Sequence, residues 1–308
     1  MKPSVISFFL ALALVISSSA LSQDQQTATV NFSVLSKNTL GFVDGLKATD
    51  VSIDEDGDRR EVIRLNSREQ ALSMIVLIDM SGSMRRHHTL IRDIAMDAIN
   101  PLKPEDEVAL IIFKDDAELI QGFTMDKNIA AEAIKKIGPA SKQTFLNKAV
   151  FLAAGYSRQY SNPNNRRIII LITDDTVNKE SNEADKSPPR DEVRKELIES
   201  RAVMCGLIVP EPPSGPQYIF DNRMKGPTSR YVEDTGGLVL RIEEKNARAK
   251  MNKMIDSFHK QYTLEYRRPS IRRYNRSPNI KVKVSKEVEK RHGDLIILSP
   301  RTDSDISK

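Results

Sequence analysis

Short, fully apolar runs closed abruptly by polar groups recur along the middle of the chain. Met74-Ile75-Val76-Leu77-Ile78 ends in Asp79, and Ile168-Ile169-Ile170-Leu171-Ile172 ends in Thr173-Asp174-Asp175. Runs without alternation read as strands buried on both faces of a parallel sheet. Val108 to Phe113, 203–209 and 237–241 read the same way, and Glu118 to Phe123 as an antiparallel edge. Between them the apolar period changes to that of a helix. Leu90, Ile91, Ile94, Ala95, Ala98 and Ile99 form one stripe on a helix from Met84 to Asn100, stopped by Pro101 and Pro104. Further helices are predicted over 127–137, 144–160, 189–200 and 243–259. Alternating strands and helices predict an α/β domain over 71–260 with a doubly wound, mostly parallel sheet.

The flanks have a different period. Ala28, Val30, Phe32 and Val34 alternate with polar residues, as do Val51 and Ile53, and later Tyr262, Leu264 and Tyr266, then Ile280, Val282 and Val284. This is the pattern of half-buried strands. Glu55-Asp56-Gly57-Asp58 reads as a hairpin turn, because its spacing does not fit a calcium loop. A few strands with one apolar face are marginal alone. The N-terminal region 23–70 and the C-terminal region 261–308 are therefore expected to pair into one β-sandwich-like domain, with the α/β domain inserted between them. Arg267, Arg268, Arg272 and Arg273 are expected in an exposed loop between the last strands. Pro210 to Thr228 reads as a long surface loop, and Thr235-Gly236-Gly237 as a helix stop.

The candidate chemistry lies where the apolar runs end. In open α/β sheets, ligands bind at the carboxyl ends of the strands. Asp79, Ser81 and Ser83 follow one strand and Asp174 follows another, while Thr144 opens the 144–160 helix. All five are hard oxygen donors, which suit Mg²⁺, Ca²⁺ or Mn²⁺ better than zinc or copper. No G-x-S-x-G elbow suggests a serine hydrolase. An aspartyl nucleophile at Asp79, as in the haloacid dehalogenase-like D-x-D pattern, lacks its acid/base carboxylate because position 81 is Ser.

The sequence Asp79-Met80-Ser81-Gly82-Ser83 after an apolar strand, with Thr144 at a helix start and Thr173-Asp174 at a second strand end, resembles the von Willebrand factor type A (VWA) domain. The resemblance covers roughly Leu72 to Lys260. It implies a Rossmann-like fold with strand order 3-2-1-4-5-6. It also implies that Asp79, Ser81, Ser83, Thr144 and Asp174 form a metal-ion-dependent adhesion site holding one divalent cation, Mg²⁺ before Ca²⁺ or Mn²⁺. An ion with few anionic ligands would then take a Glu or Asp from a protein partner. Two positions depart from the family pattern: Asp175 stands where Gly is usual, and Gln143 precedes Thr144 in place of Gly. With its flanking strands, the chain resembles exported bacterial VWA-related proteins of the Acidobacterial type. The expected function is a metal-dependent binding or adhesion module and not an enzyme. The alternatives are a structural or envelope-assembly component with a degenerate site and, behind it, a metal-dependent phosphohydrolase.

Composition adds the setting. Lys2, an apolar core from Val5 to Ile16 and Ala20-Leu21-Ser22 read as a signal peptide cleaved before Gln23, which predicts export to the periplasm or beyond. That core falls short of the roughly 20 residues a membrane span needs. Cys205 is the single cysteine, so no internal disulfide can form; its apolar strand predicts burial. The net charge of +5 is concentrated late: from Lys260 onward there are thirteen Lys and Arg against six Asp and Glu. With no tryptophan and no aromatic-basic motif, no specific nucleic-acid partner is expected; contact with an anionic envelope surface is the plainer use of the charge.

Overall fold

The computed structural model describes residues 25–114, 116–138, 145–175, 187–209, 226–242, 246–269 and 279–299. The signal-peptide region, Gln143, Thr144, Arg272, Arg273 and most of the expected loop after Pro210 lie outside the described residues.

Six strands form the central sheet: β5 (Leu72–Asp79), β6 (Glu107–Phe113), β7 (Ala117–Thr124), β8 (Arg166–Thr173), β9 (Val203–Ile208) and β10 (Val239–Arg241). Their spatial order is β10-β9-β8-β5-β6-β7, and every pairing is parallel except β6 with β7. Counted along the domain, this is the order 3-2-1-4-5-6. The non-alternating runs are explained by burial on both faces. Met74, Val76 and Ile78 pack on one side with α1 (His88–Ile99), α2 (Lys127–Lys135) and α6 (Ala247–Ser257). Ile75 and Leu77 pack on the other with α3 (Leu146–Tyr160), α4 (Arg190–Ser200) and α5 (Pro227–Thr235).

Three helical segments differ from the sequence expectation. The first helix opens with a separate 3-10 segment at Ser83–His87, where Met84 N–H reaches Ser81 O (3.1 Å) and Arg85 N–H reaches Gly82 O (3.3 Å). Helix α5 arises where a loop and a helix stop were expected: Pro227 takes its first position, where the missing N–H costs nothing, and Gly236 ends it at φ 70°. Helix α7 (Lys286–His292) lies within a region read as strands, because its only buried residue, Val288, makes no periodic signal.

The flanks do pair. Strand β1 (Gln25–Ser36) lies antiparallel to β11 (Lys260–Pro269), with Phe32 opposite Tyr262, Val30 opposite Leu264 and Ala28 opposite Tyr266. They join β4 (Val62–Glu69) and β13 (Leu295–Leu298) in a sheet ordered β13-β1-β11-β4. A second sheet, β12-β2-β3, comprises β12 (Ile280–Val284), β2 (Val51–Glu55) and β3 (Asp58–Arg60). The turn between β2 and β3 puts both Asp56 (φ 54°) and Gly57 (φ 90°) in the left-handed region, as a tight hairpin turn demands. The two sheets enclose a core that includes Phe32, Val34, Ile53, Tyr262, Leu264 and Tyr266. Arg267 and Arg268 belong to β11 rather than to a loop, and Arg268 pairs with buried Glu55 at 2.5 Å. No described helix is long and apolar enough to cross a membrane.

Candidate functional site

The register of the central sheet delivers the candidate residues to one end. Ile78 lies beside Ile172 of β8, and Asp79 beside Phe113 of β6. Asp79 is thus a polar side chain at the carboxyl end of a central strand, and it is completely buried. Its Oδ1 accepts the Ser81 N–H at 2.9 Å, and its Oδ2 accepts the Thr173 hydroxyl at 2.7 Å. The Ser81 and Ser83 hydroxyl oxygens are 3.1 Å apart. Burial pushes the Asp79 carboxyl up to about 6; the bonds from Thr173 and Ser81 act against that rise, and the charge of Asp174 adds to it.

Asp174 follows β8 directly and is half-buried. The structure therefore brings Asp79, Ser81 and Ser83 together and sets Asp174 at the neighbouring strand end. Thr144 lies outside the described residues; α3 begins at Leu146, two positions beyond the expected start.

This donor set suits a hard cation. Burying an ionised carboxylate is costly unless its charge is paired. Asp79 meets neutral groups, the Thr173 hydroxyl and the amide and hydroxyl of Ser81. Also among the described residues, no three or more His, Cys, Asp or Glu side chains gather. The arrangement is rich in hydroxyls, oxygen donors that could hold a divalent cation.

Three residues had been given no site role from the sequence. Thr173 reads as the last residue of a buried strand, yet its hydroxyl bonds Asp79 and also accepts the Asp175 N–H at 3.1 Å. The signal for it was a hydroxyl immediately before the strand-ending acid. Gly226 and Thr228 sit far along the chain but meet Asp175: Thr228 N–H donates to Asp175 Oδ1 at 3.0 Å.

Residues 74–176 match the family model of the von Willebrand factor type A domain, a span that contains all five candidate ligands. Over these residues the chain is similar to a von Willebrand factor type A domain. Solved structures similar to the chain include BatB from Bacteroides thetaiotaomicron, 21% identical, with a TM-score of 0.47, covering 61% of this chain and 98% of that one. A von Willebrand factor type A protein from Catenulispora acidiphila is 14% identical, with a TM-score of 0.47, covering 87% of this chain and 78% of that one. Proximal thread matrix protein 1 from the mussel byssus, in a form with its MIDAS motif occupied by zinc, is 15% identical, with a TM-score of 0.45, covering 67% and 49%. A search of curated proteins found no match.

Proposed function

We propose that the protein is an exported binding module whose type A domain holds one divalent cation, Mg²⁺ first, through Asp79, Ser81, Ser83, Thr144 and Asp174. In this reading the ion captures a carboxylate from a protein partner. The observation that carries the proposal is the completely buried Asp79 carboxylate, met by Ser81 N–H and the Thr173 hydroxyl at the end of a central strand. When bound, the ion supplies an electrophilic position that two carboxylates and neutral hydroxyls leave unsaturated.

The surroundings favour an acidic partner. Arg85 and Arg86 are exposed on the 3-10 segment that follows Ser83, and neither pairs with a carboxylate among the described residues. Such charges raise the association rate of an acidic partner and make it sensitive to salt. Binding is favoured over catalysis by how the polar groups are used. Ser81 and Ser83 lie within hydrogen-bonding distance of each other, and His88 places Nε2 on the Gly138 carbonyl (2.9 Å), not on a hydroxyl.

Isothermal titration of the mature protein with MgCl₂, CaCl₂ and MnCl₂ tests the reading. The expected result is about one ion per chain, abolished in Asp79→Ala with the circular dichroism spectrum retained. Equal binding by wild type and variant would remove the site assignment.

A further inference from the structure

The turn after β8 holds a feature that the metal site does not explain. Asp175 occupies the left-handed region, φ 59°, at the position where the family pattern has glycine. Asp is among the few residues that tolerate this conformation. Its carboxylate is engaged at α5. Pro227 has no N–H, so Thr228 offers the first amide of that helix, and Asp175 Oδ1 accepts it at 3.0 Å. Gly226 lies against the same carboxylate: a Cβ there would collide with Oδ2 and stand 2.8 Å from Oδ1. Glycine at 226 is therefore required by close approach, not by its own backbone angles. Thr228 is fully buried, and its Cγ2 would lie 2.8 Å from a Cβ at Gly206 of β9, so the α5 N-terminus is itself seated on the sheet.

The contact continues into the candidate site. Asp175 N–H donates to Thr173 Oγ1 at 3.1 Å, and that hydroxyl donates to Asp79 Oδ2 at 2.7 Å. A path of hydrogen bonds thus runs from the α5 N-terminus through Asp175 and Thr173 to Asp79. Asp174 lies between Thr173 and Asp175, so its backbone is held on both sides.

We propose that Asp175 is a positioning residue and not a metal ligand: its carboxylate fastens the turn carrying Asp174 to the N-terminus of α5. This rests on the reading of the site as a cation site. The orphan amide and the positive end of the helix dipole favour the carboxylate where it stands. Its charge is thereby engaged by the protein, leaving Asp79 and Asp174 as the carboxylates that face the ion. The departure from glycine then leaves the ion open to an acidic partner, and adds a tether that glycine lacks.

Three variants separate tether, ligand and strain. Asp175→Asn keeps an acceptor for the Thr228 amide and tolerates the left-handed backbone. Asp175→Gly keeps the backbone and removes the tether. Gly226→Ala displaces the carboxylate while leaving Asp175 in place. Mg²⁺ affinity and hydrogen exchange at the Thr228 amide are read on the same samples, with the melting temperature as a folding control. Asp175→Asn is expected to bind Mg²⁺ within about threefold of wild type and to keep the amide protected. Asp175→Gly and Gly226→Ala are expected to bind about tenfold more weakly and to lose that protection. Loss of Mg²⁺ binding in Asp175→Asn with the amide still protected would make Asp175 a ligand and overturn the proposal. Wild-type affinity in Asp175→Gly with an unprotected amide would overturn it too. No Mg²⁺ binding by the wild type would overturn the metal reading, and the positioning role with it. The Thr228 amide then tells a tether without a metal from a tether that does not exist.

Discussion

His259 Nε2 stands 2.7 Å from Asp106 Oδ2, with both side chains buried. The contact joins the residue just before β11, in the flanking sheet, to the turn that leads into β6 of the central sheet. The same carboxylate accepts the Leu72 amide at 2.8 Å through Oδ1, so it also anchors the first residue of β5. Nearby, Arg166 at the start of β8 donates to Ser33 Oγ and to the Phe258 carbonyl, each at 3.1 Å. The two strands that end in the candidate site are thus pinned at their opposite ends to the segment 258–260 and to β1.

Removing either partner of the Asp106–His259 pair leaves a buried polar group unmet. His259→Ala is expected to cost about 2–4 kcal/mol in urea unfolding. Burial alone would raise the Asp106 pKa, but the His259 ring and the Leu72 and Lys103 amides outweigh it and hold it below its ordinary value of 3.8. A carboxylate with a lowered folded pKa contributes stability that is present above the unfolded pKa and lost as pH falls through the folded one. Wild-type stability should therefore drop more steeply below about pH 4 than that of Asp106→Asn. Parallel acid profiles for the two proteins would contradict this.

At Asp79, stability and binding should move in opposite directions. Its pKa is raised to about 6 by burial, so its contribution is favourable below the unfolded value of 3.8 and is lost as pH rises through about 6. At pH 7 the metal-free protein carries a buried charge. Asp79→Asn should raise metal-free stability by on the order of 1–3 kcal/mol while reducing Mg²⁺ binding at least tenfold. Thermal melts in chelator and in excess Mg²⁺ read both effects; a lower melting point for the variant in chelator would count against the account.

Cys205 is fully buried in β9, and burial pushes its thiol up to about 12. The thiolate is the reactive form. A thiol reagent at pH 8 is expected to label the native chain only after denaturant is added, and rapid native labelling would show that this strand opens.

Phe32 and Tyr262 stack across β1 and β11 with ring centroids 5.5 Å apart, and the Tyr262 hydroxyl donates to the Val43 carbonyl at 2.9 Å. Phe32→Ala should cost about 3–5 kcal/mol, and Tyr262→Phe about 1 kcal/mol. Equilibrium unfolding measures both. A negligible loss for Phe32→Ala would mean that the two flanks do not share the core described here.

Much of this architecture was legible in the residues alone. The unbroken apolar run before Asp79 had to be buried on both faces, and the alternation of Phe32 and Val34 had to face one core. Asp79, Ser81 and Ser83 stood out because they are adjacent in the chain. Helix α7 did not, since one buried valine in seven residues carries no period, and α5 was obscured by the Pro and Gly around its start.

By itself, then, the sequence determined the strands, their class of sheet and the oxygen chemistry at the ends of the central ones, because burial period and side-chain type are local properties. The partners of those groups were decided only by tertiary structure. Thr173 serves Asp79 because β5 and β8 lie side by side in a given register, and Asp175 reaches Thr228 across 53 residues because α5 begins beside the turn that follows β8. Arg268 reads as a loop cation until β11 brings it to Glu55. Contacts between distant segments follow from how the sheets close and which ends they align, and the order of residues along one strand does not encode that.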